Sequence, residues 1–170
     1  MGREVRRVPE GWQHPKDDDG RYIPLFDGCD GFAMDDKEWT EGWEKWQQGL
    51  CEQYGEDNKW GPIDPEHKNI RYSDYAGSRP SPDDYMPDWP EDQRTHLMMY
   101  ETTSEGTPIS PAFETSEDLA RWLADNHASA FGGMTATYEQ WLGMIKAGWA
   151  PSAVCDSTGM HSGVEAIGEP

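Results

Sequence analysis

Residues 36–50 read DKEWTEGWEKWQQGL and contain the clearest secondary-structure signal in the chain. Trp39, Trp43, Trp46 and Leu50 recur at spacings of four, three and four residues, which is the period of one face of an α-helix. The pattern predicts a helix over 36–49, with an aspartate at its start and a glycine at its end. Because such a stripe usually packs into a core, we expect these tryptophans to be buried.

The chain as a whole is poor in aliphatic side chains and rich in aromatic ones. Leu, Ile, Val and Phe together provide 20 of the 170 residues. Highly charged chains in which these residues make up less than roughly 20% are normally disordered, and this chain lies well below that fraction. Nine Trp, seven Tyr and eight Met compensate, since a buried aromatic ring removes roughly 150–250 Å² from water. We therefore predict one folded acidic domain over 1–170 with an aromatic-rich core.

Other patterns predict several short elements outside the helix. These are hairpins over 11–26, 50–63 and 153–164, a strand over 95–103, and helices over 115–126 and 135–147. The proline-rich segment 73–92 carries aromatic anchors, which predicts an ordered strap across the core, whereas 168–170 is expected to fray. Strands and helices mix without regular alternation. The predicted class is therefore α+β, with a small mixed sheet and short hairpins packed on three helices.

The lack of a recognisable secretory signal and the number of cysteines predict a location inside the cell. The charged N-terminal residues lack the apolar core of a secretory signal, and no apolar run approaches the roughly 18 residues of a membrane span. Cys29, Cys51 and Cys155 are odd in number and far apart, so a disulfide framework is not expected. We predict a cytoplasmic protein.

Catalytic and metal-binding motifs are not recognisable in the sequence. Nucleophile elbows, phosphate-binding loops and dinucleotide fingerprints are missing, and the five histidines are scattered without the spacing of a zinc site. The segment 16–20 is similar to a calcium loop, but Pro15 occupies the position at which an aspartate is needed. We predict a non-enzymatic protein with no metal and no cofactor. The alternative is an aromatic pocket in which a carboxylate and His96 or His127 act as acid and base.

Charge is the most informative feature of the sequence. The chain has 33 Asp and Glu against 14 Lys and Arg, which gives a formal net charge of −19. This surplus argues against direct binding to nucleic acid or to an anionic membrane, because phosphates would be repelled. The acidic residues concentrate in 27–57 and 83–118, where the net charges are −8 and −9.

Two interpretations of these acidic segments remain open. In the first, they form a solvated surface that aids solubility, supported by Lys37–Glu41 and Glu41–Lys45 pairs one helical turn apart. In the second, they form a surface that a basic partner binds in place of phosphates. The residues predicted to contact that partner are Asp35, Asp36, Glu38, Glu41, Glu44, Asp83, Asp84, Asp88, Glu91 and Asp92.

Five segments stand out: VPEGWQHP (8–15), RYIPLFDG (21–28), YMPDWPE (85–91), YETTSEGTPISP (100–111) and LARWLAD (119–125). Together they resemble a family of small acidic proteins encoded by bacteriophages and prophages. The likeness covers nearly the whole chain and is weakest over 29–75. The family has no established activity, so the resemblance implies a context, an accessory protein acting inside an infected bacterium, and assigns no residue a role.

These observations together predict a phage-encoded, non-enzymatic inhibitor of a host defence complex, of the anti-CRISPR or anti-restriction type. Its acidic surface is expected to occupy the basic channel in which that complex holds nucleic acid. The expected compartment is the cytoplasm of the infected host. Two alternatives remain: a small-ligand-binding protein or enzyme with an aromatic pocket, and a structural or assembly protein of the phage particle.

Overall fold

The computed structural model describes residues 2–28, 31–53, 60–104, 106–157 and 159–168. By their internal contacts, the residues group into two compact units. The larger unit consists of Met1–Phe26 and Pro87–Pro170, and the smaller unit is Asp27–Met86. The composition, which predicts one domain over 1–170, gives no sign of this division.

The described strands and helices are named in chain order. They are β1 (Gly2–Val8), α1 (Gly31–Gln47), β2 (Leu50–Glu52), β3 (Trp60–Pro62), α2 (Tyr72–Ala76), β4 (His96–Glu101), β5 (Thr107–Pro108), α3 (Ser116–Asp125), α4 (Tyr138–Ala147), β6 (Trp149–Pro151), β7 (Ala153–Asp156), β8 (Gly159–Ser162) and α5 (Gly163–Gly168). Two 3₁₀ turns cover Pro82–Asp84 and Glu91–Gln93. The predicted α+β class is confirmed.

A four-stranded antiparallel sheet, in the order β5-β4-β1-β6, organises the larger unit. The sequence patterns predict β4 but miss β1, the strand beside it, because arginines interrupt the apolar alternation of residues 2–8. The Arg3 guanidinium is nevertheless buried in this strand. It donates to the carbonyl oxygen of Ser129 at 2.9 Å and to Oε1 of Glu101 at 2.7 Å. The burial of this cation is tolerated because the Glu101 carboxylate and the Ser129 carbonyl oxygen accept its hydrogen bonds.

The main hydrophobic core lies between one face of this sheet and the helices of the larger unit. Its largest side chain is Trp141 of α4, which is fully buried beside Leu119 and Leu123 of α3 and Met99 of β4. Aliphatic side chains and methionine thus surround this tryptophan, and the partly buried rings of Phe113, Trp122 and Tyr138 pack against them. This composition suits a sheet face, where branched and unbranched side chains interdigitate without leaving voids.

Local capping signals place both helices near their predicted positions. The Thr115 side chain accepts a hydrogen bond from the amide of Asp118 at the start of α3. Thr137 and Gln140 form a reciprocal capping box at the start of α4, and Gly148 ends that helix in the left-handed conformation with φ 87°. These interactions are local in sequence, which is why the sequence predicts them well.

The smaller unit is built around α1, the hairpin β2–β3 and α2. Helix α1 begins five residues earlier than predicted, and Gly42 is its one buried residue among those described. Trp39 and Trp46 are half-buried and pack against Tyr72, with ring centroids 5.2 and 5.6 Å away. Trp43 is 43% exposed, so the expected burial of the tryptophan stripe is wrong at that position. A unit this small has too little chain to cover a whole helix.

The predicted hairpins have different outcomes. Strands β7 and β8 confirm the hairpin near the C-terminus. Strands β2 and β3 pair as expected, although 54–59 between them lie outside the described residues. Over 11–26 the turn forms, with the Asp17 amide donating to the Arg21 carbonyl oxygen at 2.8 Å. Beside this turn, Lys16 and Tyr22 form an isolated bridge rather than part of a continuous hairpin.

Three further expectations concern the strap, the tail and the cysteines. The segment 73–92 contains most of α2, the 3₁₀ turn Pro82–Asp84 and the start of the 3₁₀ turn Glu91–Gln93. Residues 169 and 170 of the predicted tail, and Cys29, lie outside the described residues. Cys51 and Cys155 are free thiols. None of the helices in the described segments combines the length and the apolar character that crossing a membrane requires.

Candidate functional site

The ten acidic residues predicted to contact a partner are divided between the two units. The larger unit holds Asp88, Glu91 and Asp92. The smaller unit holds the remaining seven, which are Asp35, Asp36, Glu38, Glu41, Glu44, Asp83 and Asp84. The two groups also differ in how their charges are compensated.

Arginines neutralise much of the acidic group in the larger unit. Oε1 of Glu91 lies 2.8 Å from Nη1 of Arg7, and Oδ1 of Asp88 lies 3.6 Å from Nη2 of Arg94. Arg94 also approaches Glu91, with Nε 3.8 Å from Oε2. Asp92 is exposed and makes no ion pair with any residue that the structure describes. Little negative charge is left over in this group.

Two of the carboxylates in the smaller unit have a fixed internal role. The hydroxyl of Tyr85 donates to Oδ2 of Asp35 at 2.6 Å. Burial of the ring, this hydrogen bond and the charges of Asp35 and Asp84 raise the pKa of Tyr85 to about 12. Asp36 receives two hydrogen bonds from Arg79, at 2.6 and 3.0 Å, and they hold the pKa of Asp36 below its ordinary value. Asp35 and Asp36 thus help to hold the unit together.

Glu38, Glu41 and Glu44 form an exposed row along α1, one carboxylate at every third residue. Within the described parts of the chain, none of the three makes an ion pair. The Lys37–Glu41 and Glu41–Lys45 pairs expected from the sequence are not formed, because surface pairs of this kind gain too little to hold two long side chains in place. These carboxylates are available to an external cation.

A cavity of about 660 Å³ opens beside this row within the smaller unit. Glu38 and Glu41 of α1 line it together with Glu52 of β2. Trp60 of β3 and Tyr72 of α2 contribute aromatic rings. The cavity therefore joins three carboxylates to aromatic surfaces, a combination that suits an organic cation.

The position of Tyr72 in this cavity depends on Gly42. A Cβ atom at residue 42 would lie 2.0 Å from the Tyr72 hydroxyl oxygen, so the absence of a side chain lets this hydroxyl approach the helix backbone. Burial raises the pKa of Tyr72, and the charges of Glu52 and Glu38 raise it further. The Tyr72 hydroxyl therefore lies in the negative field of two carboxylates, Glu38 of α1 and Glu52 of β2.

Sequence reasoning identified Glu38 and Glu41 but not the other residues of this cavity. Glu52, Trp60, Tyr72, Tyr75 and His67 come from four separate segments, and their assembly is a consequence of the fold. The one sequence signal for them is the general excess of aromatic residues beside acidic ones, which does not say which residues meet.

A second cavity, of about 530 Å³, lies in the larger unit and bears on the enzyme alternative. Trp12, His14, Tyr22 and Trp122 line it, and so does His96, one of the two histidines named as a candidate base. No carboxylate is among its described lining residues, and His127 is exposed elsewhere. The acid–base pair that this alternative requires is not assembled in the described cavity.

The buried histidine of that cavity has a hydrogen-bonding partner at each ring nitrogen. Nε2 of His14 donates to the carbonyl oxygen of Ile23 at 2.6 Å, and Nδ1 lies 3.2 Å from the Tyr100 hydroxyl. Burial lowers the pKa of His14, the hydrogen bond to Ile23 opposes this effect, and the charge of Arg6 adds to it. His14 therefore acts as a structural hydrogen-bonding group.

Metal binding and relatedness give no further assignment. Among the described residues, no group of three or more His, Cys, Asp or Glu side chains is arranged to hold a metal ion. Comparisons with family models, with curated proteins and with solved structures found no match. The similarity to phage-encoded proteins stays a prediction from the sequence.

Proposed function

We propose that this protein is a non-enzymatic inhibitor of a host defence complex, encoded by a phage and acting in the cytoplasm of the infected bacterium. It belongs, on this proposal, to the anti-CRISPR or anti-restriction type. The acidic surface of the smaller unit binds the basic channel that normally holds nucleic acid. The larger unit serves as the scaffold, since two of the three predicted partner-binding carboxylates that it carries, Asp88 and Glu91, are paired with arginines.

The observation that carries this proposal is the uncompensated row formed by Glu38, Glu41 and Glu44. Residues three apart on a helix repeat about every 4.5 Å along its axis, which is of the same order as the roughly 3.4 Å per phosphate along one DNA strand. A basic groove shaped for phosphates therefore meets a similar density of negative charge. Electrostatic attraction also makes association fast and salt-sensitive.

The proposal is tested in bacteria that carry one defined CRISPR or restriction system and that express this chain. A phage that the system normally blocks is plated on each strain. We expect at least one system to be inhibited, so that plating recovers toward the level seen without the system. The purified complex from that strain should bind the protein, and the affinity should fall steeply with salt.

A matched pair of variants separates the acidic row from net charge. Glu38→Gln, Glu41→Gln and Glu44→Gln together should abolish inhibition. Glu10→Gln, Glu114→Gln and Glu139→Gln remove the same charge from exposed sites of the larger unit and should leave inhibition intact. Inhibition of none of the systems, or equal activity of both triple variants, contradicts the proposal.

A small-ligand-binding protein is the second candidate, and the cavity beside His14 favours it. That site is lined by aromatic rings and lies within the roughly 300–1,000 Å³ range of ligand sites. Thermal-shift screening of uncharged aromatic compounds, with Trp122→Ala as the cavity variant, tests it. Stabilisation of the wild type that this variant loses would support the candidate, and no stabilisation would oppose it.

A further inference from the structure

The cavity of the smaller unit combines chemical groups that another part of the same molecule uses to hold an arginine. In the larger unit, the Arg6 guanidinium carbon lies 4.5 Å from the centre of the Tyr100 ring. Nε and Nη2 of Arg6 both donate to Oε2 of Glu4 at 3.1 Å. A guanidinium thus sits between an aromatic face and a carboxylate, where both its π surface and its N–H groups are used.

The cavity offers the same two kinds of group without an internal guanidinium among its described lining residues. Glu38, Glu41 and Glu52 supply carboxylates, and none of them pairs with a described Lys or Arg. Trp60 and Tyr72 supply rings that no described cation covers. The volume of about 660 Å³ also leaves room for a long side chain.

The form of these acceptors distinguishes between classes of cation. A quaternary ammonium group has no hydrogen to donate, so it would leave the three carboxylates without hydrogen bonds. A primary ammonium group donates from one point, whereas a guanidinium offers five N–H donors in a planar fork that also stacks on rings. Glu38 and Glu41 of α1 and Glu52 of β2 offer acceptors from two elements, and a fork with five donors can use more of them than a single ammonium group can.

The local charge agrees with this choice. His67 is the one lining residue among those described that can become cationic, and Oε1 of Glu66 lies 3.6 Å from its Nε2. The charges of Glu52 and Glu38 act together on the Tyr72 hydroxyl. The field inside the cavity is therefore negative, and an entering guanidinium is stabilised by it.

We propose that this cavity binds a guanidinium group between its carboxylates and its rings. The group comes either from an arginine side chain of a protein partner or from a small guanidinium compound. The first source rests on the proposed function, in which the basic channel would insert an arginine here. The binding site itself does not require that function.

The test uses the purified full chain and two isosteric probes, N-acetyl-arginine methylamide and its neutral analogue N-acetyl-citrulline methylamide. Binding is followed by NMR through the indole N–H of Trp60 and the amide of Gly42. We expect the arginine probe to bind at least about tenfold more tightly than the citrulline probe. The neutral citrulline side chain lacks the positive charge that strengthens the hydrogen bonds to the carboxylates of the cavity. N-acetyl-lysine methylamide should bind several-fold more weakly than the arginine probe.

Variants localise the binding. Glu38→Gln with Glu52→Gln should weaken the arginine probe by about tenfold or more, and Trp60→Leu should weaken it without changing the charge. Glu114→Gln with Glu139→Gln, which removes two exposed carboxylates of the larger unit, is the matched control and should change binding less than about twofold. Gly42→Ala provides a further variant, because the new Cβ displaces Tyr72.

The outcomes separate this inference from the proposed function. The inference is overturned if the arginine and lysine probes bind equally and if substitution of Glu38, Glu52 or Trp60 does not change their affinity. That result would indicate attraction to the net charge alone. Loss of defence inhibition on Trp60→Leu identifies a partner's arginine as the source. Probe binding in a protein that inhibits no defence system identifies a small guanidinium compound and leaves the site standing. Inhibition without probe binding supports the function and rejects the site.

Discussion

The two units of this protein differ in which charged side chains they bury and pair. In the larger unit, Arg3 and Arg6 are buried and each has a carboxylate partner, Glu101 and Glu4. In the smaller unit, Glu38, Glu41 and Glu52 line a cavity without a described cationic partner. Paired charges inside a core specify how the core assembles, whereas unpaired charges at a cavity favour binding from outside.

The tryptophans of helices α4 and α1 differ in burial in a similar way. Trp141 is fully buried among aliphatic side chains of the larger unit. In the smaller unit, Trp39 and Trp46 are half-buried, and Trp43 and Trp60 are still more exposed. A ring that keeps one face open retains its capacity for a ligand. Trp141 therefore contributes to the core, whereas Trp43 and Trp60 keep part of their surface in contact with solvent.

The largest effect expected from this comparison concerns the two kinds of tryptophan. Trp141→Ala should reduce the free energy of unfolding by about 3–5 kcal/mol, because a large side chain leaves the core and a cavity remains. Trp43→Ala should cost less than about 1 kcal/mol, since its ring is 43% exposed. Urea denaturation followed by far-ultraviolet circular dichroism measures both. Similar losses for the two variants would remove the contrast between the units.

The next effect compares charges. Arg3→Ala should cost about 2–3 kcal/mol, because Glu101 and the carbonyl oxygen of Ser129 lose their donor in a buried site. Glu38→Gln in the smaller unit should change stability by no more than about 0.5 kcal/mol, because no described partner depends on that charge. The same denaturation experiment applies. A large destabilisation by Glu38→Gln would show that the charge is structural.

The smallest effect is a pH dependence that belongs to the larger unit. Burial lowers the pKa of His14 from its ordinary value of 6.5, so the folded state favours the neutral ring. This stabilisation is present above the ordinary value, and it is lost as the pH falls below it toward the folded-state pKa. The urea midpoint should therefore decrease between neutral pH and about pH 5.

A histidine substitution isolates this contribution from that of the carboxylates. His14→Gln should show a shallower decrease over the same range, whereas His127→Gln, at an exposed position, should follow the wild type. Identical pH profiles for all three proteins would contradict the role given to His14. The urea midpoints at matched pH values are the measurement.

Several local features were predictable from sequence alone. Thr115 and Thr137 cap helices close to where the pattern places them, and Gly148 ends one of them. The turn at 17–20 and the hairpin of β7 and β8 were also predicted. Each depends on residues a few positions apart, so the backbone conformation and its hydrogen bonds follow from neighbouring side chains.

The sequence by itself determined the α+β class, the approximate positions of α1, α3 and α4 and the excess of negative charge, because propensity, capping and net charge are local or additive properties. Only the tertiary structure decided that residues 2–8 form an inner strand, since the buried Arg3 of this strand needs partners about 100 residues away. It also decided which carboxylates are paired and which surround the cavity of the smaller unit. Pairing and cavity formation depend on distances between separate segments, and those distances exist only after the chain has folded.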